Sequence, residues 1–111
     1  MKSSLQDAQL IRVLKALADP RRFRMIRELA AAGELSCGRL GARFELSQPT
    51  VSHHLKILTD AGLLSARAEA TRHFVSVNRA LVEQVAALLP ARLSAPSPRK
   101  APRPGPGRKG R

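Results

Sequence analysis

The sequence predicts a mainly α fold of about five helices with one small two-stranded β hairpin. Three observations carry that prediction. Apolar residues recur at helical spacing in five segments; two of those segments open on a capping residue followed closely by proline; and after Gly62 the spacing switches to alternation. At 111 residues the chain has room for one domain with a single modest core.

Leu10, Val13, Leu14 and Leu17, with Ile11 beside them, place a first helix over about residues 6–18. Asp19-Pro20 reads as N-cap and first-turn proline, opening a second helix through about Ala31 with Phe23, Ile26, Leu29 and Ala30 inward and Gly33 closing it. Ser36 caps a short third helix over about 37–44 that carries Leu40 and Phe44, and Leu46 packs in the turn that follows.

Ser47 then caps a fourth helix with Pro49 in its first turn, where the missing N–H costs nothing, and Gly62 stops it. At about 100° per residue, Val51, Leu55, Leu58 and Gly62 share one side, while Pro49, Ser52, His53, Lys56 and Asp60 fall on or near the other. Gln48 and Thr50 flank the exposed arc. An ordinary surface helix carries Glu and Lys at i,i+4 spacing; this face carries Ser, Gln, Thr and His, which pair with base edges and phosphates when a helix enters the major groove by its N-terminus.

The third helix, the turn and the fourth helix form a helix-turn-helix. Leu63–Arg67 and His73–Val77, joined by Ala68 to Arg72, form the strands of a wing, so the fold class is winged helix-turn-helix. Helical spacing returns at Leu81, Val82, Val85, Ala86, Leu88 and Leu89, covering more of the helix circumference than one core-facing stripe needs. A second copy of the chain, meeting it through this helix or the first, is the economical partner for that extra face.

The chain carries 20 basic and 8 acidic residues, a formal net charge of +12. Residues 94–111 hold six basic residues and no acid, together with five of the eight prolines, and read as a disordered basic tail behind a folded domain of residues 1–93. Both parts are cationic, which points to double-stranded DNA as the polyanionic partner and to salt-dependent binding. Three Phe with no Trp or Tyr argue against single-strand stacking and against a membrane-surface helix with aromatic anchors. No apolar run reaches membrane-spanning length, no secretory core opens the chain, and the lone Cys37 has no internal disulfide partner, all of which fit the cytoplasm. No Ser/His/Asp arrangement, paired carboxylates or glycine phosphate loop emerges, so the chain reads as no enzyme.

With the motif order in place, the chain resembles the ArsR/SmtB-type winged-helix repressors of bacteria. The resemblance covers about residues 10–78 and rests on LKALADPRRFRMIREL (14–29), GELSCGRL (33–40), LSQPTVSHHLKILTDAGLL (46–64) and the wing after it. It implies a cytoplasmic, nucleoid-associated homodimer joined by its first and last helices, with two recognition helices in successive major grooves of an inverted repeat. The DNA contacts it implies are Ser47, Gln48, Thr50, Ser52 and His53, with Pro49 in the same first turn, Lys56 on a phosphate, and Arg67 and Arg72 on the wing. The wing tip here is Ala68-Glu69-Ala70-Thr71, less basic than usual for the family, which weakens the case for deep minor-groove insertion.

Many such repressors release DNA on binding a metal. The usual thiolate pair falls here on Ser36 and Gly38, with Cys37 between them, and residues 79–93 offer Glu83 but no His. One thiolate does not satisfy a soft metal, so no metal or other cofactor is expected; a small-molecule inducer is not identifiable. Adjacent His53 and His54 point about 100° apart and do not share an ion, His54 being better read as packed, His53 as DNA-facing and His73 as solvated. Two alternatives stand beside the repressor: a sequence-nonspecific architectural protein relying on its tail, and a redox-responsive repressor acting through Cys37. For the second, a first-turn thiol near Arg39 and Arg43 would have a lowered pKa; a small residue packed on the core is the plainer reading of Cys37.

Overall fold

The computed structural model describes residues 5–94. In chain order the elements are α1 (Asp7–Leu17), α2 (Pro20–Ala32), β1 (Leu35–Ser36), α3 (Cys37–Phe44), α4 (Gln48–Asp60), β2 (Leu64–Glu69), β3 (Arg72–Val77) and α5 (Arg79–Ser94). The expected tail lies almost wholly outside the described residues. Five helices and a small sheet are what the apolar spacing predicts.

The helix starts are built from the predicted caps. Asp19 Oδ1 accepts the backbone N–H groups of Arg21 at 2.8 Å and Arg22 at 3.3 Å, with Pro20 in the first turn. Ser36 Oγ accepts the Arg39 N–H at 3.2 Å, and Ser47 Oγ accepts the Thr50 N–H at 3.4 Å. These bonds satisfy donors that the first turn of a helix leaves without partners. Gly33, at φ 88°, closes α2, and its N–H donates to the Leu29 carbonyl. Asn78 organises the last junction: Oδ1 accepts the Leu81 N–H at the start of α5, and Nδ2 donates to the Gly62 carbonyl just after α4.

Val13, Met25, Leu29, Leu40, Val51, Leu58 and Leu63 form the fully buried centre of the core. They come from α1, α2, α3, α4 and the α4–β2 link, so one cluster ties the helix-turn-helix to the body of the domain. Each such side chain contributes about 1.5–3 kcal/mol by leaving water.

The expected hairpin of β2 and β3 is present, and the structure adds to or corrects its details and the helix faces. The wing has three strands: β1 pairs antiparallel with β3 through Leu35↔Val75 and Ser36↔Phe74, giving the order β1-β3-β2. Two residues are too few to show alternation, which is why spacing missed this strand. The hairpin turn is also tighter than Ala68 to Arg72, because pairing continues to Glu69↔Arg72 and leaves Ala70 and Thr71 at the tip, Ala70 at φ 55°.

On α2, Phe23 is 47% exposed and Met25 is fully buried in its place. Arg22, Met25, Ile26 and Leu29 share the inner arc of this helix, and Phe23 projects roughly 110° away from its centre. On α1 the core takes Leu10, Val13 and Ala16, leaving Leu14 and Ile11 exposed. Finally, α5 continues through Pro90 to Ser94.

Candidate nucleic-acid interface

α3 and α4 cross at Gly41. A Cβ there would lie 3.1 Å from Val51 Cγ2, so the small residue lets the two helices of the motif approach closely. The turn between them is completed by Glu45 in the left-handed conformation, φ 55°, whose N–H donates to the Ala42 carbonyl. Val51, Leu55 and Leu58 are buried under α4, which leaves Gln48, Pro49, Ser52, His53 and Lys56 exposed along its outer side.

These exposed side chains do not stand alike. Ser47 Oγ is occupied by its capping role and by a 2.9 Å hydrogen bond with Thr50 Oγ1, and Thr50 itself is half-buried. Lys56 Nζ donates to Asp60 Oδ2 at 3.2 Å, a largely exposed pair that water and salt screen. Gln48 and Ser52, one turn apart, line an open cleft of about 600 Å3 whose other walls include Arg39 at the start of α3 and Arg72 and His73 on β3. The cleft therefore brings together Gln48, Ser52 and Arg72 of the expected set. Arg39 and His73 are additions that the sequence did not single out as DNA contacts, because their place in the cleft depends on how α3 and the wing meet.

The two wing arginines differ. Arg67 donates to both carboxylate oxygens of Glu34 at 2.8 Å and to Glu69 at 2.9 Å, and its guanidinium lies 4.5 Å from the centre of the Phe74 ring. The bond from Arg67 holds the Glu34 carboxyl below its usual range, and Glu34, then Glu69, raise the pKa of Arg67. Arg72 lies over the same Phe74 ring at 5.5 Å and makes no ion pair among the described residues. Arg72 thus keeps its charge without a carboxylate partner among the described residues, whereas Arg67 is held by two carboxylates.

Cys37 sits in the first turn of α3, half-buried and packed on the core, where it also lines the cleft. Burial pushes its thiol pKa up, so the lowered pKa that nearby Arg39 and Arg43 suggested is not what the structure produces. Arg43 is engaged instead with Glu28 at 2.6 Å. His54 is buried with 7% exposed, while His53 faces out, and their ring centres lie 5.9 Å apart. Among the described residues no three His, Cys, Asp or Glu side chains come together as a ligand set.

A helix pair of this kind, with its outer face beside a β wing, defines a winged helix-turn-helix DNA-binding protein. Comparison with known proteins agrees. A helix-turn-helix domain family matches residues 17–67. The arsenical resistance operon repressor of Staphylococcus aureus is 35% identical over 77 residues, covering 69% of this chain and 73% of that protein. The transcriptional activator HlyU of Vibrio cholerae is 38% identical over 83 residues, covering 75% and 76% of the two chains, and the structure of its reduced form superposes with a TM-score of 0.63. The homodimeric winged helix-turn-helix domain Mb0332 of Mycobacterium bovis shares the fold at 24% identity, with a TM-score of 0.65 over 92% of this chain and all of that one. The chain belongs to the ArsR/SmtB-type winged helix-turn-helix family, whose members are DNA-binding transcriptional regulators and not enzymes. No helix among the described residues is long and apolar enough to cross a membrane.

Proposed function

We propose that this protein is a homodimeric repressor that reads an inverted-repeat operator with α4 in the major groove and has no metal trigger. The observation that carries this reading is the division of α4 into a buried apolar side and an exposed side whose Gln48 and Ser52 open into the cleft with Arg39, Arg72 and His73. Gln48, Ser52 and His53 supply base-edge contacts; Arg39, Lys56, Arg72 and, after release from Glu34, Arg67 supply phosphate contacts. Ser47 and Thr50 hold the start of the helix, with Pro49 beside them in its first turn.

Dimerisation is supported by apolar side chains left uncovered on α1 and α5. Ile11, Leu14, Val82 and Leu93 are all exposed, Leu93 at 78%. The end of α5 is tied to the start of α1 by Arg92, which donates to Asp7 and to the Leu5 carbonyl. Both helices therefore belong to one region of the surface. The absence of a metal trigger is supported by Ser36 and Gly38 at the thiolate positions and by Glu83 standing without His on the last helix.

Selection of duplexes from a random-sequence library, followed by genomic footprinting, tests the proposal. Enrichment of one inverted repeat, bound about 10³-fold or more above bulk DNA by a dimer, is the expected result. Equal binding to all sequences would establish the architectural alternative, with the basic tail supplying the affinity; removal of residues 94–111 would then abolish most binding.

A further inference from the structure

Besides apolar packing, a polar contact from α2 bears on the middle of α4. His54, the neighbour of DNA-facing His53, turns into the protein, and its Nδ1 lies 3.5 Å from Nη1 of Arg22 in α2. A guanidinium only donates, so Nδ1 is the acceptor and the neutral ring carries its proton on Nε2. Arg22 is fixed in turn. Its Nε donates to the Ala16 carbonyl at 2.7 Å, Nη2 faces the Lys15 carbonyl at 3.5 Å, and Nη1 lies 3.7 Å from Asp19 Oδ2. The carbonyls at the C-terminal end of α1 suit a cation, since the helix dipole is negative there. One guanidinium, on a side chain 14% exposed, thus joins the last turn of α1, the cap of α2 and the middle of α4.

We propose that Arg22 and His54 are positioning residues, a latch that sets the angle of the reading helix α4 against the end of α1. The inference rests on the operator-reading role of α4 proposed above. It assigns a function to Arg22, which touches no DNA, and links the reading helix to α1, the helix expected to meet the partner copy.

The groups around the imidazole set the sign of its response to acid. Burial lowers the His54 pKa below its ordinary value; Asp19 opposes this, while Arg22, His53 and Arg21 add to it. Lys15 of α1 contributes its carbonyl to the same guanidinium. Protonation removes the acceptor and sets two cations against each other. The latch is complete above the unfolded-state pKa of about 6.5 and opens as the pH falls through the lower pKa of the folded-state imidazole. Protonation of exposed His53 acts oppositely, adding a cation at the DNA face, so comparison within variants is needed.

The test uses the full chain with two probes: the duplex selected by the wild-type protein, and a random-sequence duplex of equal length. Kd is measured on both at pH 7.5 and 5.5 for wild type, Arg22→Gln, Arg22→Lys and His54→Gln, at a temperature where thermal melts show each variant folded. Loss of a charged hydrogen bond that orients α4 lowers the selected-to-random preference about tenfold in Arg22→Gln, and Arg22→Lys does not restore it, because a single ammonium does not span Ala16 and His54. Wild type loses preference on acidification, and His54→Gln loses less.

Variants that melt earlier yet keep the wild-type preference and pH ratio would make this an ordinary packing contact and overturn the proposal. If Arg22→Gln does not fold, the pH ratio of His54→Gln decides. A wild type with no sequence preference overturns the operator reading instead, and the latch is then judged by ring-proton titration. Arg22→Gln must raise the His54 midpoint; an unmoved midpoint overturns the latch.

Discussion

Ser47 and Gln48 are adjacent at the start of α4, and both are expected at the DNA, yet their surroundings differ. Ser47 Oγ accepts the Thr50 N–H at 3.4 Å and bonds to Thr50 Oγ1 at 2.9 Å; Gln48 is exposed and opens into the cleft. Replacing a serine cap by alanine costs about 0.5–2 kcal/mol, and the long cap bond here places Ser47→Ala near 1 kcal/mol, a fall of about 4–8 °C in melting temperature for a domain of this size. Gln48→Ala removes no internal bond and exchanges one good helix former for another, so its stability stays within about 0.5 kcal/mol of wild type. On the selected operator the order reverses. Losing one bidentate base contact costs about 1–3 kcal/mol, roughly fivefold to more than a hundredfold in Kd, with little change on random DNA.

Ser47→Asp completes the comparison, because it keeps a cap acceptor and so restores stability, while its charge beside the phosphates weakens binding to every sequence. Urea unfolding gives the stabilities, and competition between operator and random duplex gives the preferences. Equal losses on the two duplexes for Gln48→Ala, or an unchanged melting temperature for Ser47→Ala, would refute this division of roles.

Glu34→Gln frees Arg67 from its bidentate partner, so affinity for all DNA rises and its salt dependence steepens; the gain disappears in an Arg67→Ala background, and a gain that survives there would show that Arg67 is not the cause. Gly41→Val drives its side chain against Val51 and costs about 1–3 kcal/mol by urea unfolding, whereas Gly41→Ala trades a 3.1 Å contact against better helix propensity and stays close to neutral. The raised pKa of Cys37 keeps it a thiol at neutral pH, so iodoacetamide modifies the folded protein much more slowly than the urea-unfolded chain, and equal rates would contradict its packing.

Much of this molecule was legible in one dimension. Helix starts at Asp19, Ser36 and Ser47 follow from capping chemistry, which is local: the acceptor lies two or three residues from its donor. The outer face of α4 follows from a fixed rotation per residue. Helix faces that lean on more than one neighbour were less legible, and Phe23 and Met25 exchanged places for that reason. The second paired partner of β3, Leu35 and Ser36, is two residues long and 38 to 40 positions away, beyond the reach of any periodicity.

The chain by itself determined where α4 begins and which side of it faces out, because capping and helical rotation depend on neighbours in sequence. Only the tertiary structure decided what supports and surrounds that helix. Glu34 reaches Arg67 across 33 positions, Arg22 reaches His54 across 32, and Arg39 meets Arg72 in one cleft. Such contacts form only when the core brings distant segments together, and they separate a wing cation without a carboxylate partner among the described residues, Arg72, from one already held by carboxylates, Arg67.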